Sequence, residues 1–257
     1  MAAMDRVRMR VGLVVQVLDD FTDRPVEGGC CRLWIDGAGP PLIRRDGYYV
    51  FVNLPEGTGT LHIEHPFYSP RSLTARFGRP ELSEPVMKVR MSPDITYPVP
   101  RGATGVRGRA KRECPVQLVC REKSGYYKLL LEYGNPGKER FIAIYNPDGA
   151  DLDGRRFRIE GRDGSDWEYF TILHTAGGED KFSLMDRPLQ NSYKKIGTRV
   201  IPVYETCTDR NGDFFLLLPQ GESGGGEYAV SVGASGSRES VVKLEAGKIN
   251  EILLEEE

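Results

Sequence analysis

An all-β architecture follows from three features of the sequence. Short β-branched and aromatic runs recur roughly every ten residues, the spacing of sandwich strands. Glycine and proline, 30 and 17 residues, concentrate between those runs, where turns need them. No long stretch repeats its apolar residues at the helical period. β-Sandwich modules are therefore expected, and 257 residues is long enough for two or three of them.

The strands read in order. Arg8 to Leu18 is the first, and Asp19 to Pro25 is a polar turn after it. Cys31 to Ile35 is the second, ended by Gly37 to Pro41. Arg45-Asp46-Gly47 turns the chain into Tyr48-Tyr49-Val50-Phe51-Val52, and Asn53 to Gly57 turns it again. Thr60 to Glu64 and Val86 to Met91 complete the unit. Residues 92–102 carry three prolines and read as a stiff, extended linker. Strands then follow at Val116 to Cys120, Tyr126 to Leu131, Arg140 to Tyr145, Arg155 to Glu160, Glu168 to Leu173 and Lys181 to Met185.

An internal repeat organises these strands. Asp46-Gly47-Tyr48-Tyr49-Val50-Phe51-Val52-Asn53-Leu54-Pro55-Glu56-Gly57 matches Asn211-Gly212-Asp213-Phe214-Phe215-Leu216-Leu217-Leu218-Pro219-Gln220-Gly221. Each block is a turn, an aromatic-aliphatic strand and then Leu-Pro-x-Gly. A further strand follows each, Leu61 to Ile63 in one and Tyr228 to Val232 in the other. Each closes on a late strand, Met87 to Arg90 and Ile249 to Leu254. The second copy would start at Thr104 to Ala110, far ahead of its recognisable half near Val200, and that gap is too long for a loop. The expected organisation is a sandwich over 1–92, a Pro-rich linker over 93–102, a second sandwich from 103–112 plus 200–257, and a small β-barrel over 113–199. The barrel is either inserted in the second sandwich, the favoured reading, or placed before it in series.

The pattern Thr22-Asp23-Arg24-Pro25-Val26, then Arg45-Asp46-Gly47-Tyr48-Tyr49-Val50-Phe51 and Asn53-Leu54-Pro55, resembles the carboxypeptidase regulatory-like, transthyretin-like β-sandwich. Thr208 to Pro219, Tyr228 to Val232 and Val241 to Leu254 resemble the second half of that family's module. The resemblance implies two transthyretin-like or Ig-like sandwiches and no catalysis, because such modules serve as spacer, stability or binding units. Leu152 to Ile159, Trp167 to Ile172 and Gly197 to Val200 are similar to small β-modules of phage tail-like, contractile injection particle proteins, as is the join Tyr97 to Gly108.

Charge and cysteine usage narrow the partners. Thirty-five Lys and Arg against 37 Asp and Glu leave no global attraction for nucleic acid or anionic lipid. The basic run Arg101, Arg107, Arg109, Lys111 and Arg112 reads as a solvated linker or edge strand, and Glu255-Glu256-Glu257 as a solubilising end. Five cysteines, Cys30, Cys31, Cys114, Cys120 and Cys207, stand at irregular spacing, as expected of reduced thiols in a cytoplasm. Val11 to Val17 is broken by Gln16 and stops at Asp19-Asp20, so it reads as a strand and not as a signal peptide or a membrane-inserted segment. The expected location is cytoplasmic, with release inside a particle as a further case.

Reactive constellations are sparse. His62 and Glu64 would share a strand face with His65 on the other, poor geometry for a shared metal. Asp209-Arg210-Asn211-Gly212-Asp213 has calcium-loop residues but no closing Glu, and Asn-Gly is a turn signal. Gly224-Gly225-Gly226 lies between strands and reads as a hairpin tip, not a phosphate loop. A Cys114 or Cys120 pair with His174 would need an orienting group that the pattern does not supply. No catalytic, cofactor-binding or metal residue is expected. Tyr48, Tyr49, Tyr126, Tyr127, Trp167, Tyr169 and Phe170 could stack on sugar, though adjacent aromatics on a strand split between faces. The expectation is a non-catalytic structural component of a multi-protein assembly, most plausibly a phage tail-like particle. Its partners would be other subunits or copies of itself. The alternative is a carbohydrate- or cell-surface-binding protein.

Overall fold

The computed structural model is all-β; it describes residues 9–27, 29–77, 86–121, 127–146, 149–162, 164, 166–176, 182–220, 225–233 and 239–254. Seven strands come first: β1 (Val11–Asp19), β2 (Arg32–Ile35), β3 (Leu42–Ile43), β4 (Tyr48–Val52), β5 (Gly57–His65), β6 (Tyr68–Phe77) and β7 (Met87–Met91). Next are β8 (Gly105–Arg109), β9 (Pro115–Cys120), β10 (Lys128–Leu129), β11 (Phe141–Tyr145), β12 (Arg156–Glu160), β13 (Trp167–Thr175), β14 (Phe182–Met185) and β15 (Arg199–Cys207). The chain closes with β16 (Asp213–Leu217), β17 (Gly226–Val232), β18 (Glu239–Leu244) and β19 (Ile249–Leu253).

Two sheets, β3-β4-β1-β7 and β2-β5-β6, enclose the first core. Alternate residues supply it: Val15 and Val17, Leu33 and Ile35, Tyr49 and Phe51, Leu61 and Ile63. The β3–β4 turn needs positive φ at both central positions, and Asp46 and Gly47 adopt 58° and 70°. Strand β6 was not foreseen. Pro70 and Arg71 break its pattern, yet β6 is an edge strand, where a missing amide is tolerated.

The C-terminal residues repeat this connectivity. Strand β1 pairs antiparallel with β4 and parallel with β7; β8 pairs antiparallel with β16 and parallel with β19. Likewise β2-β5-β6 corresponds to β9-β17-β18. The sequence boundaries put Pro115 to Cys120 in the 113–199 barrel. Instead β9 packs Val116, Leu118 and Cys120 beside Tyr228 and Val230 in the C-terminal core. Its residues are buried on both faces, so alternation carried no sign of its partner.

Strands β10 to β14 lie in sequence between β9 and β16 and have their own core around Phe157, Ile159, Phe170, Ile172 and Tyr193. Their sheet order is β10-β11-β14-β13-β12-β15, and a bridge from Tyr127 to Val200 brings the two ends of that run together. Strand β15 is shared. Residues 199–203 pair with β12 and residues 203–207 pair with β9.

The 93–102 segment is folded against the first unit rather than extended away from it. The Asp94 amide donates to the Phe67 carbonyl at 3.0 Å, and the Tyr97 hydroxyl donates to Asp19 Oδ2 at 2.7 Å. A phenol can satisfy a buried carboxylate while its ring packs on Phe21 and Tyr68, which the proline count does not reveal.

Ion pairs lock the first unit to the middle strands. Arg90 is 2% exposed; it pairs with Asp23 and donates to the carbonyls of Asp153 and Asp151, each at 3.0 Å. Lys88 Nζ lies 2.6 Å from Asp151 and 3.4 Å from Asp153. Burial acts to lower the Lys88 ammonium, but its two carboxylates hold it above the ordinary value. Burial acts to raise Asp151, and Lys88 with the Asp153 amide holds it below the ordinary value. A depressed carboxylate stabilises the fold above its unfolded pKa, and the contribution fades as pH falls through the folded one. The raised ammonium contributes below its unfolded pKa and is lost only in strong alkali. Lys88→Met should therefore lower thermal stability at about pH 7, by no more than about 1 kcal/mol because the pair is partly solvated. The gap from wild type should narrow as pH falls below the ordinary carboxylate range, which paired melting curves would read.

Candidate functional site

One face of the β13-β12-β15-β9-β17-β18 sheet forms a cleft. Alternation along β12 sends Phe157 and Ile159 into the middle core and Arg156, Arg158 and Glu160 to the opposite face. On that face Val119, Ile201, Val203 and Ala229 make an apolar floor, with Tyr169 and Trp167 at one side. The sheet curls strongly, since Arg158 on β12 reaches Glu239 at the start of β18. A cavity of about 470 Å³ results, walled by Arg121, Arg158, Glu160, Arg199 and Glu239.

The charges are organised. Glu160 and Arg158 are each 7% exposed, with Glu160 Oε1 at 2.7 Å from Arg158 Nε. The other Glu160 oxygen pairs with Arg199, and Arg158 also pairs with Glu239. The Arg158 guanidinium lies 4.3 Å over the Trp167 ring, and that of Arg156 lies 4.9 Å over Tyr169. Arg121 also walls the cavity and makes no ion pair among the described residues. Gln117 on the same sheet face, between Glu205 and Ser231 in register, is 1% exposed and its Oε1 lacks a partner.

A second feature lies on the outer face of β10, β11 and β14. Phe141 and Tyr145, 52% and 49% exposed, flank Ala143 on β11. Phe141 faces Leu184 across the strand pair, and Ala143 faces Phe182. Leu131 beyond β10 is exposed as well. Phe141 and Tyr145, with Leu184 and Phe182 facing β11, form an apolar strip on a rim of the middle unit.

The residues considered from the sequence are dispersed. His62 stacks on Trp34 and shares a 2.9 Å hydrogen bond with Ser72 Oγ, while Glu64 lies 4.0 Å from Arg32. The ring of His65 accepts from the Phe67 amide through Nδ1. Asp209 Oδ1 accepts from the amides of Asn211 and Asp213, and the Asp213 carboxylate pairs with Arg109. The Asp209 carboxylate thus closes a turn, and that of Asp213 joins two strands. Among the described residues no group of three metal-ligating side chains converges. His174 pairs with Asp153 beside the first unit, whereas Cys120 is in the C-terminal core. Burial pushes the Cys31 thiol up to about 11, so little thiolate forms at neutral pH.

The aromatic residues are dispersed too. Tyr49 is in the first core, Tyr127 and Phe170 are in the middle core, and Tyr48 is half-buried. Tyr126 and Gly224 lie outside the described residues. Arg121, Arg158, Arg199 and Glu239 were missed. The charged-apolar alternation Arg156-Phe157-Arg158-Ile159-Glu160 was the visible signal for Arg158 alone of these, and it reads equally as a solvated strand face.

No helix among the described residues is long and apolar enough to cross a membrane. No family model matches the chain, and no curated protein does. Among solved structures it is similar to a DUF3823 family protein from Bacteroides ovatus ATCC 8483, at 11% identity and TM-score 0.25 over 93% of this chain and 98% of that one. It is also similar to the Bacillus anthracis TIE protein, at 10% identity and TM-score 0.25 over 95% of this chain and 50% of that one. At these scores neither likeness bears on function.

Proposed function

We propose that the chain is a non-catalytic structural component of a multi-protein assembly, joined to its neighbours through β-module contacts. The apolar strip of Phe141 and Tyr145, with Leu184 and Phe182 facing β11, carries the reading. Large apolar side chains clustered on one exposed sheet face favour burial against a partner. The open sheet edges at β3 and β18 offer further sites for pairing. A phage tail-like particle is the context we favour, and it rests on the resemblance of the 152–200 and 97–108 segments alone. A carbohydrate-binding role draws less support, because the guanidiniums of Arg158 and Arg156 already lie over the Trp167 and Tyr169 rings.

Native mass spectrometry of protein purified from its source tests the proposal. Wild type is expected in a complex of fixed stoichiometry, and the Phe141→Ser, Tyr145→Ser double variant is expected to be monomeric yet folded. A wild-type monomer at every concentration, with no defined partner, would sink the idea.

A further inference from the structure

We infer that the cleft on the curled sheet binds a small organic monoanion, a carboxylate on an apolar body, with Arg121 as its anchor. The first support is the charge arrangement. Among the described residues, three guanidiniums and two carboxylates wall the cavity. Arg158 and Arg199 are neutralised by Glu160 and Glu239, which leaves the excess positive charge on Arg121.

The second support is cost. Arg158 and Glu160 are buried on a face that apolar side chains could fill with equal or greater stability, since desolvating an ion pair offsets most of its attraction. Stability alone does not account for that pair, whereas a binding face uses fixed polar groups.

The third support is shape. About 470 Å³ lies within the usual range for small-molecule pockets, and Val119, Ile201 and Ala229 floor it. A bare inorganic anion would leave that floor wetted, and a neutral apolar molecule would gain nothing from Arg121, whose side chain is open to the solvent at the cavity wall. A carboxylate with a short hydrocarbon body satisfies both. The same chemistry is presented by a free organic acid and by the C-terminus of a polypeptide ending in an apolar residue.

Calorimetric titration of the full chain tests this with hexanoate, hexan-1-ol, hexylammonium and inorganic phosphate. Hexanoate is expected to saturate a single site at least about tenfold more tightly than the other three. Arg121→Gln should weaken hexanoate about tenfold or more while leaving the melting temperature unchanged, because Arg121 is exposed and makes no ion pair among the described residues. N-acetyl-valyl-leucine, compared with its C-terminal amide, distinguishes the sources. Tighter binding of the peptide acid than of hexanoate identifies a polypeptide terminus, and the reverse a free acid. The inference is overturned if hexanoate shows no saturable heat, if Arg121→Gln binds it as wild type does, or if hexanol or phosphate binds equally well. The measurement uses isolated chain, so its outcome is independent of the assembly proposal.

Discussion

Replacing Arg90 with methionine is expected to remove about 3–5 kcal/mol of stability, the usual cost of deleting one member of a buried charged network. The side chain is 2% exposed, and methionine fills similar volume without a donor. The Asp151 and Asp153 carbonyls would each lose a donor, and among the described residues Asp23 would keep only Arg155, at 3.4 Å. The damage should fall at the boundary between the first unit and the middle strands. Urea unfolding of Arg90→Met should split into two steps if that boundary is what couples them. Arg107→Met is the contrast: its pair with Glu251 is more than half exposed on both sides, and the loss should stay below about 1 kcal/mol. Equal effects from the two substitutions would show that the buried network does not hold the units together.

Phe157→Ala should be comparably severe, at about 3–5 kcal/mol, for a different reason. Phe157 is fully buried; its ring lies 5.8 Å from Phe170 and meets Tyr127 edge-on at 5.4 Å. Truncation leaves a void flanked by strands pinned on both sides, so collapse into it is limited. The near-ultraviolet circular dichroism of the middle-unit tyrosines should melt first, ahead of hydrogen-exchange protection in β1 and β4. Simultaneous loss of both signals would mean that the cores unfold as one.

Much of the strand map was legible because its physics is local. Tyr48 to Val52 and Phe214 to Leu217 are aromatic and β-rich and follow turn residues, so composition and turn chemistry agree. The repeat was legible because Leu54-Pro55 and Leu218-Pro219 mark the same place in two copies. Strand β6 was hidden by Pro70; β9 was legible as a strand, and its burial on both faces hid only the unit it packs in. The cleft was hidden by curvature. Arg158 and Glu160 alternate with Phe157 and Ile159 as any solvated strand face would, and only the arch of the sheet turns that face inward. Arg90, between Val89 and Met91, was hidden likewise: the surface it would have pointed to is occupied by another unit.

Strand β15 belongs to two ladders at once, β12 along its first half and β9 along its second. A continuous backbone shared in that way leaves no hinge between the middle and C-terminal units. Tension applied at the rim of the former would cross to the latter as shear along a row of amide–carbonyl bonds, the loading direction in which a sheet yields least readily. The pair would transmit force as a single stiff beam.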